Sequence, residues 1–137
     1  MTAYLDSSAV LRYILNEPGC YKRWHAFDAL VSSRVMRAEC KRTLLRAREN
    51  QKFTDQVLLE LINSLDSFLR KVSLIPISEE LLNRVELPFI LPLATLDAIH
   101  LATAEAVRQR IGPGMAFITH DLSLARAAGA HGFSVIV

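Results

Sequence analysis

Apolar positions along the chain fall into short continuous runs that alternate with segments of helical period. "AYL", residues 3 to 5, reads as a first strand, and Val10, Leu11 and Ile14 give the segment from Ser7 to Leu15 a helical spacing. "NEPGC" interrupts it, and Pro18 suits the start of a second helix running to Ala29. A strand "LVSS" follows, its serines placed to cap a helix from Arg34 to about Asn50. The next helix, Thr54 to Arg70, carries Val57, Leu58, Leu61, Ile62, Leu65, Phe68 and Leu69 as one stripe, which most simply faces a core.

Beyond that stripe, "KVSLIPI" reads as a strand, and Ser78 caps a short helix through Leu87. The nearly uncharged stretch from Leu87 to Leu96 contains two prolines and reads as a loop or buried connection. Ala94 to Arg110 forms a helix, GPG turns the chain, and "MAFIT", Leu122 to Ala128 and "FSVIV" follow as strand, helix and strand. Strands separated by helices predict an α/β fold with a largely parallel sheet covered on both faces.

Length then limits the organisation: 137 residues and 15.3 kDa suit one domain spanning residues 1–137. A hydrophobic fraction of 51% and a charged fraction of 22% describe a globular chain. With a net charge of only +2, any nucleic-acid partner must be met by a local basic patch. Cys20 and Cys40 belong to no CxxC or Cys/His cluster, which argues against zinc and a disulfide framework. Absence of a leader and of an apolar run near ~20 residues predicts a cytoplasmic chain with reduced thiols and no membrane association.

Four acids stand apart from the polar helix flanks. Asp6 closes the first strand and opens a helix, where capping competes with a site at the sheet edge. Glu39 has no cation at i±4, although Arg42 at i+3 offers a surface ion pair. Asp97 lies on a largely apolar helix face and needs a partner, for which His100, one turn on, is nearest in sequence. Asp121 again marks a strand-to-helix boundary. If the strands ending at Asp6 and Asp121 are neighbours, the acids share one edge, where they repel one another unless a cation lies between them. Carboxylates without Cys or clustered His favour Mg²⁺ or Mn²⁺.

"YLDSSAVLRYI", "RAECKRTL", "TLDAIHLATA" and "FITHDLSLARAAGAHG", in this order, resemble the PIN domain, and specifically the VapC-like toxin ribonucleases of type II toxin–antitoxin systems. The resemblance covers nearly the whole chain and implies a three-layer α/β/α fold with a central, mostly parallel sheet of about five strands. It places the family's acidic quartet on Asp6, Glu39, Asp97 and Asp121, as catalytic and metal-holding residues, with Ser8 and Thr119 as supporting hydroxyls. Many relatives carry an arginine where this chain has Ala94. The resemblance further implies a Mg²⁺-dependent endoribonuclease, a homodimer, and a cognate VapB-like antitoxin that neutralises it. In this frame Arg42 and Arg46 share a face with Glu39 and offer countercharge to RNA. Two other readings compete: a non-catalytic PIN-like binding module whose acids only cap helices, and a Mg²⁺-binding phosphoacceptor domain. The latter needs a lysine from a late strand, and the last lysine here is Lys71.

Overall fold

Residues 1–137 are described by a computed structural model. Five strands, β1 (Thr2–Leu5), β2 (Ala29–Ser33), β3 (Val72–Ile75), β4 (Ala116–Ile118) and β5 (Ser134–Ile136), form one parallel sheet in the order β3-β2-β1-β4-β5. The helices are α1 (Ser7–Ile14), α2 (Val35–Glu49), α3 (Asp55–Leu69), α4 (Glu79–Val85), α5 (Thr95–Ile111) and α6 (Leu122–Ala130). Side chains alternate across the pleat. Ala3 and Leu5 therefore join the core under α1, α2 and α3, whereas Tyr4 joins Val31 and Phe117 under α5 and α6. This is the three-layer α/β/α arrangement expected from the alternation of periods.

The strand order has a functional consequence. From β1 the chain steps outward to β2 and β3, then returns to the other side of β1 for β4 and β5. The reversal lies between β1 and β4, and open α/β sheets place their ligand crevices at the carboxyl ends of strands at such a point. Register pairs Leu5 with Ile118, so the chain leaves both strands at the same level.

Local chemistry explains most boundaries. Thr54 and Ser78 accept from the Val57 and Leu81 amides and cap α3 and α4, while Ser33 accepts from Val35 N–H at the start of α2. Replacing Ser78 with alanine is expected to lower stability by about 1 kcal/mol, read from chemical denaturation. The stripe on α3 meets the core through Leu65, Phe68 and Leu69, but Val57 and Leu59 remain exposed.

The helix predicted from Pro18 to Ala29 does not form; only Trp24–Ala26 make a 3-10 turn. Asn16 and Gly19 adopt φ of 51° and 77°, a left-handed backbone that ends α1 and blocks a new helix. Tyr21, Trp24 and Phe27 instead pack as an aromatic cluster, with Trp24 edge-on to Tyr13 and Phe68. Of the stretch from Leu87 to Leu96, residues 87–94 are a loop with the Leu87 and Ile90 side chains exposed rather than buried, and Thr95 and Leu96 open α5. Both cysteines are free, and burial, with the charges of Glu39 and Asp6, pushes the Cys40 thiol up to about 12. No helix is long and apolar enough to cross a membrane.

Candidate active site

Because every strand is parallel, the helices that follow β1 and β4 begin at the same sheet edge, and their N-termini bring a positive dipole end there. Asp6 is the N-cap of α1 and Asp121 the N-cap of α6, while Asp97 lies in the first turn of α5. Glu39 comes from the second turn of α2. The capping readings of Asp6 and Asp121 are therefore correct. They coexist with a shared position at the switch point, so they do not exclude a site.

Asp6 is 3% exposed and held from several sides. Its carboxylate accepts from Ser8 Oγ at 2.8 and 3.0 Å and from the Ala9 amide at 3.3 Å. Ser8 Oγ in turn accepts from the His120 amide at 2.9 Å and lies 3.3 Å from Thr119 Oγ1, which accepts from the Asp121 amide at 3.0 Å. Ser8 and Thr119 thus lace the start of α1 to the turn that follows β4. Burial raises the Asp6 carboxyl above the usual carboxylate range, against the charge of His100 and the bonds from Ser8 and Ala9.

Asp97 is half-buried and accepts no protein hydrogen bond. Burial raises its pKa first, the charge of Asp121 adds to this, His100 opposes it, and Glu39 raises it again. Asp97 therefore stands in the electrostatic field of both Asp121 and Glu39. His100, buried to 1% exposure, is not the hydrogen-bond partner of Asp97 that sequence proximity suggests. It bonds Glu39 Oε1 at 2.6 Å through Nε2 and the Tyr4 hydroxyl at 2.8 Å through Nδ1. One helical turn separates Asp97 from His100, yet the Nε2 bond goes to Glu39 of α2.

The basic face of α2 divides in two. Lys41 and Arg37 lie 3.2 and 3.9 Å from Asp66, and Arg48 pairs with Asp55. Arg42 and Arg46 are exposed and form no ion pair, so the proposed Glu39–Arg42 surface pair is absent.

As they stand, no three His, Cys, Asp or Glu side chains converge closely enough to enclose a metal ion. Asp6, Glu39 and Asp121 are each engaged by donors of the protein itself. The donor set nonetheless fits a hard divalent cation. All four groups are carboxylates, and Asp97 lacks a hydrogen-bond donor while facing two like charges. Tyr4 is the residue that sequence reading missed: it was an apolar strand position, although a buried tyrosine requires a partner for its hydroxyl.

A family model described as the PIN domain matches residues 3–130. A solved chain titled as a toxin–antitoxin complex from Klebsiella pneumoniae is similar in structure, with a TM-score of 0.62 and 17% identity. The alignment covers 98% of this chain and 96% of that one, and at this identity it speaks for the fold. No curated protein sequence matches the chain.

Proposed function

Because the chain belongs to the PIN-domain family, we propose that it is a divalent-metal-dependent endoribonuclease, the toxin of a VapC-like type II toxin–antitoxin pair. The observation that carries this reading is geometric: Asp6 and Asp121 stand at the carboxyl ends of the neighbouring strands β1 and β4, at the switch point, and Asp97, raised first by burial, also feels the charges of Asp121 and Glu39. The likeness to a chain from a toxin–antitoxin complex supports the toxin assignment.

Asp6 and Asp97 would hold Mg²⁺ or Mn²⁺, with Asp121 joining directly or through water and Glu39 binding metal or orienting the attacking water. When bound, the ion neutralises the scissile phosphate and lowers the pKa of water toward neutrality. Ser8 and the Ala9 amide hold Asp6 in place before substrate arrives, and Thr119 steadies the turn that presents Asp121. The second oxygen of Glu39, opposite the one bound to His100, is free to accept a proton from an attacking water.

Arg42 and Arg46, unpaired on the same helix as Glu39, would bind the RNA backbone. Arg42→Ala or Arg46→Ala should raise KM with little change in kcat and reduce the slope of log affinity against log salt by about 1 each, measured by RNA binding at graded salt. Leu87 and Ile90, which precede α5, and Leu96 in its first turn beside Asp97 lie exposed and offer apolar surface to the cognate antitoxin or to a second copy of the chain.

The test is incubation of total cellular RNA with the purified, antitoxin-free chain, with Mg²⁺, with EDTA, and with Mg²⁺ restored. Discrete fragments that vanish on chelation and return with the metal are expected. A folded chain that cuts nothing and shows no calorimetric Mg²⁺ or Mn²⁺ binding would instead support the binding-module reading. That alternative is favoured by one observation: Asp6 and Asp121 both serve as helix caps. A phosphoacceptor domain fits less well, since Lys71 precedes β3 at the opposite end of the sheet from Asp6.

A further inference from the structure

Resting on the nuclease reading, we propose that the Tyr4–His100–Glu39 chain of hydrogen bonds positions the Glu39 carboxylate for metal and water, with His100 as the positioning residue. His100 itself touches neither metal nor RNA. It acts from beneath the site, on the face of α5 that looks into the sheet.

The chain links three elements that each carry a candidate acid. Tyr4 stands two residues before Asp6 in β1, His100 three after Asp97 in α5, and Glu39 lies in α2. Their contacts are short: 2.8 Å from Tyr4 Oη to His100 Nδ1 and 2.6 Å from His100 Nε2 to Glu39 Oε1. Tyr4 is itself anchored, because its oxygen accepts from the Ser33 amide at 3.1 Å and its ring stacks on Phe117 at 5.0 Å.

Proton counting sets the direction of the relay. A carboxylate only accepts, so His100 Nε2 carries a proton and donates a hydrogen bond to Glu39 Oε1. The Tyr4 hydroxyl, which accepts from Ser33 N–H, holds Nδ1 on the other side of the ring. Tyr4 and His100 are 0% and 1% exposed, so the bond between them is closed to water. Glu39 is the partly open end of this chain, its side chain 18% exposed. One of its oxygens is committed to His100 and the other makes no hydrogen bond to the protein. A glutamate has three side-chain torsions, and without His100 it would sample rotamers that turn that oxygen away.

The role predicts coupling, not merely loss of stability. Partners that orient a metal-holding side chain typically change metal affinity by about 10- to 100-fold when removed. Mn²⁺ binding to the full chain, followed by electron paramagnetic resonance and calorimetry, is the readout, with melting curves identifying folded variants. His100→Phe should weaken Mn²⁺ binding by about 10- to 100-fold, and Tyr4→Phe, which keeps the ring and removes the hydroxyl, by a smaller factor. His100→Gln, which can still donate to Glu39, should recover most of the affinity. In a Glu39→Gln background, His100→Phe should cause no further weakening. Should His100→Phe fail to fold, Tyr4→Phe and the His100→Gln rescue decide the matter. Unchanged Mn²⁺ affinity in folded His100→Phe or Tyr4→Phe, or additive losses with Glu39→Gln, overturns the relay alone. Absence of Mn²⁺ binding in the wild-type chain overturns the nuclease reading and the relay together.

Discussion

Asp6→Asn should reduce RNA cleavage by about 10³-fold while making the metal-free chain more stable. The two effects have one cause. Asp6 is 3% exposed, and burial raises its carboxyl above the usual range, so the ionised group is held at a cost to folding. Asparagine retains an oxygen that accepts from the Ala9 amide and from Ser8, and it caps helices as well as aspartate does. What disappears is the charge. A metal contributes several kcal/mol of transition-state stabilisation, and losing about 4 kcal/mol of it corresponds to the stated rate factor. Single-turnover cleavage of a labelled RNA and a melting curve without metal check the two halves. If Asp6 were only a cap, the asparagine variant would cut as fast as wild type. A loss of both activity and stability would mean that asparagine fails to reproduce the packing, and would remove the argument from charge.

Stability of the metal-free chain should also depend on pH in an unusual sense. For Asp6 the folded pKa is raised above its ordinary value of 3.8. Between that value and the raised one the folded state binds more protons than the unfolded state, so stability falls as pH rises through the window and is level above it. Each unit of elevation corresponds to about 1.4 kcal/mol, or roughly 3–5 °C in Tm for a chain of this size. The clean observable is the difference in Tm between Asp6→Asn and wild type, because groups common to both cancel. It should be small near pH 4 and widen toward pH 7. Asp97 shifts in the same direction, but its half-exposure lets solvent screen much of the effect.

Adding Mg²⁺ should reverse the trend in wild type, since a ligand at 100 times its Kd stabilises the state it binds by about 2.7 kcal/mol. Asp6→Asn should respond weakly. A Tm difference that is flat with pH, together with equal Mg²⁺ responses, would show that Asp6 bears no strained charge and holds no ion.

The helices and strands with clear periods were readable because their cause is local. Thr54, Ser78, Asp6 and Asp121 cap the helices they precede, and the apolar stripe of α3 marks its length. Pro18–Ala29 failed for the complementary reason. Its backbone is set by two left-handed residues and by aromatic packing against α1 and α3, neither of which has a sequence period. His100 was legible only in part: its charge does act on Asp97, one turn away, but its hydrogen bond goes to Glu39 of α2.

Taken by itself, the sequence determined the α/β class, the elements that carry the four acids, and the order in which those acids arrive, because periodicity and capping act over a few residues. It also contained the motifs that identify the PIN family over residues 3–130. Tertiary structure alone decided that β1 and β4 are neighbours, that Asp97 lies in the field of Asp121 and Glu39, and that Arg42 and Arg46 stay unpaired while Arg37, Lys41 and Arg48 do not. It alone joined Tyr4, His100 and Glu39, which lie 96 and 61 positions apart in successive pairs. Such pairings depend on strand order and helix crossing. These are set by how the whole apolar surface is buried, and no local run of residues encodes them.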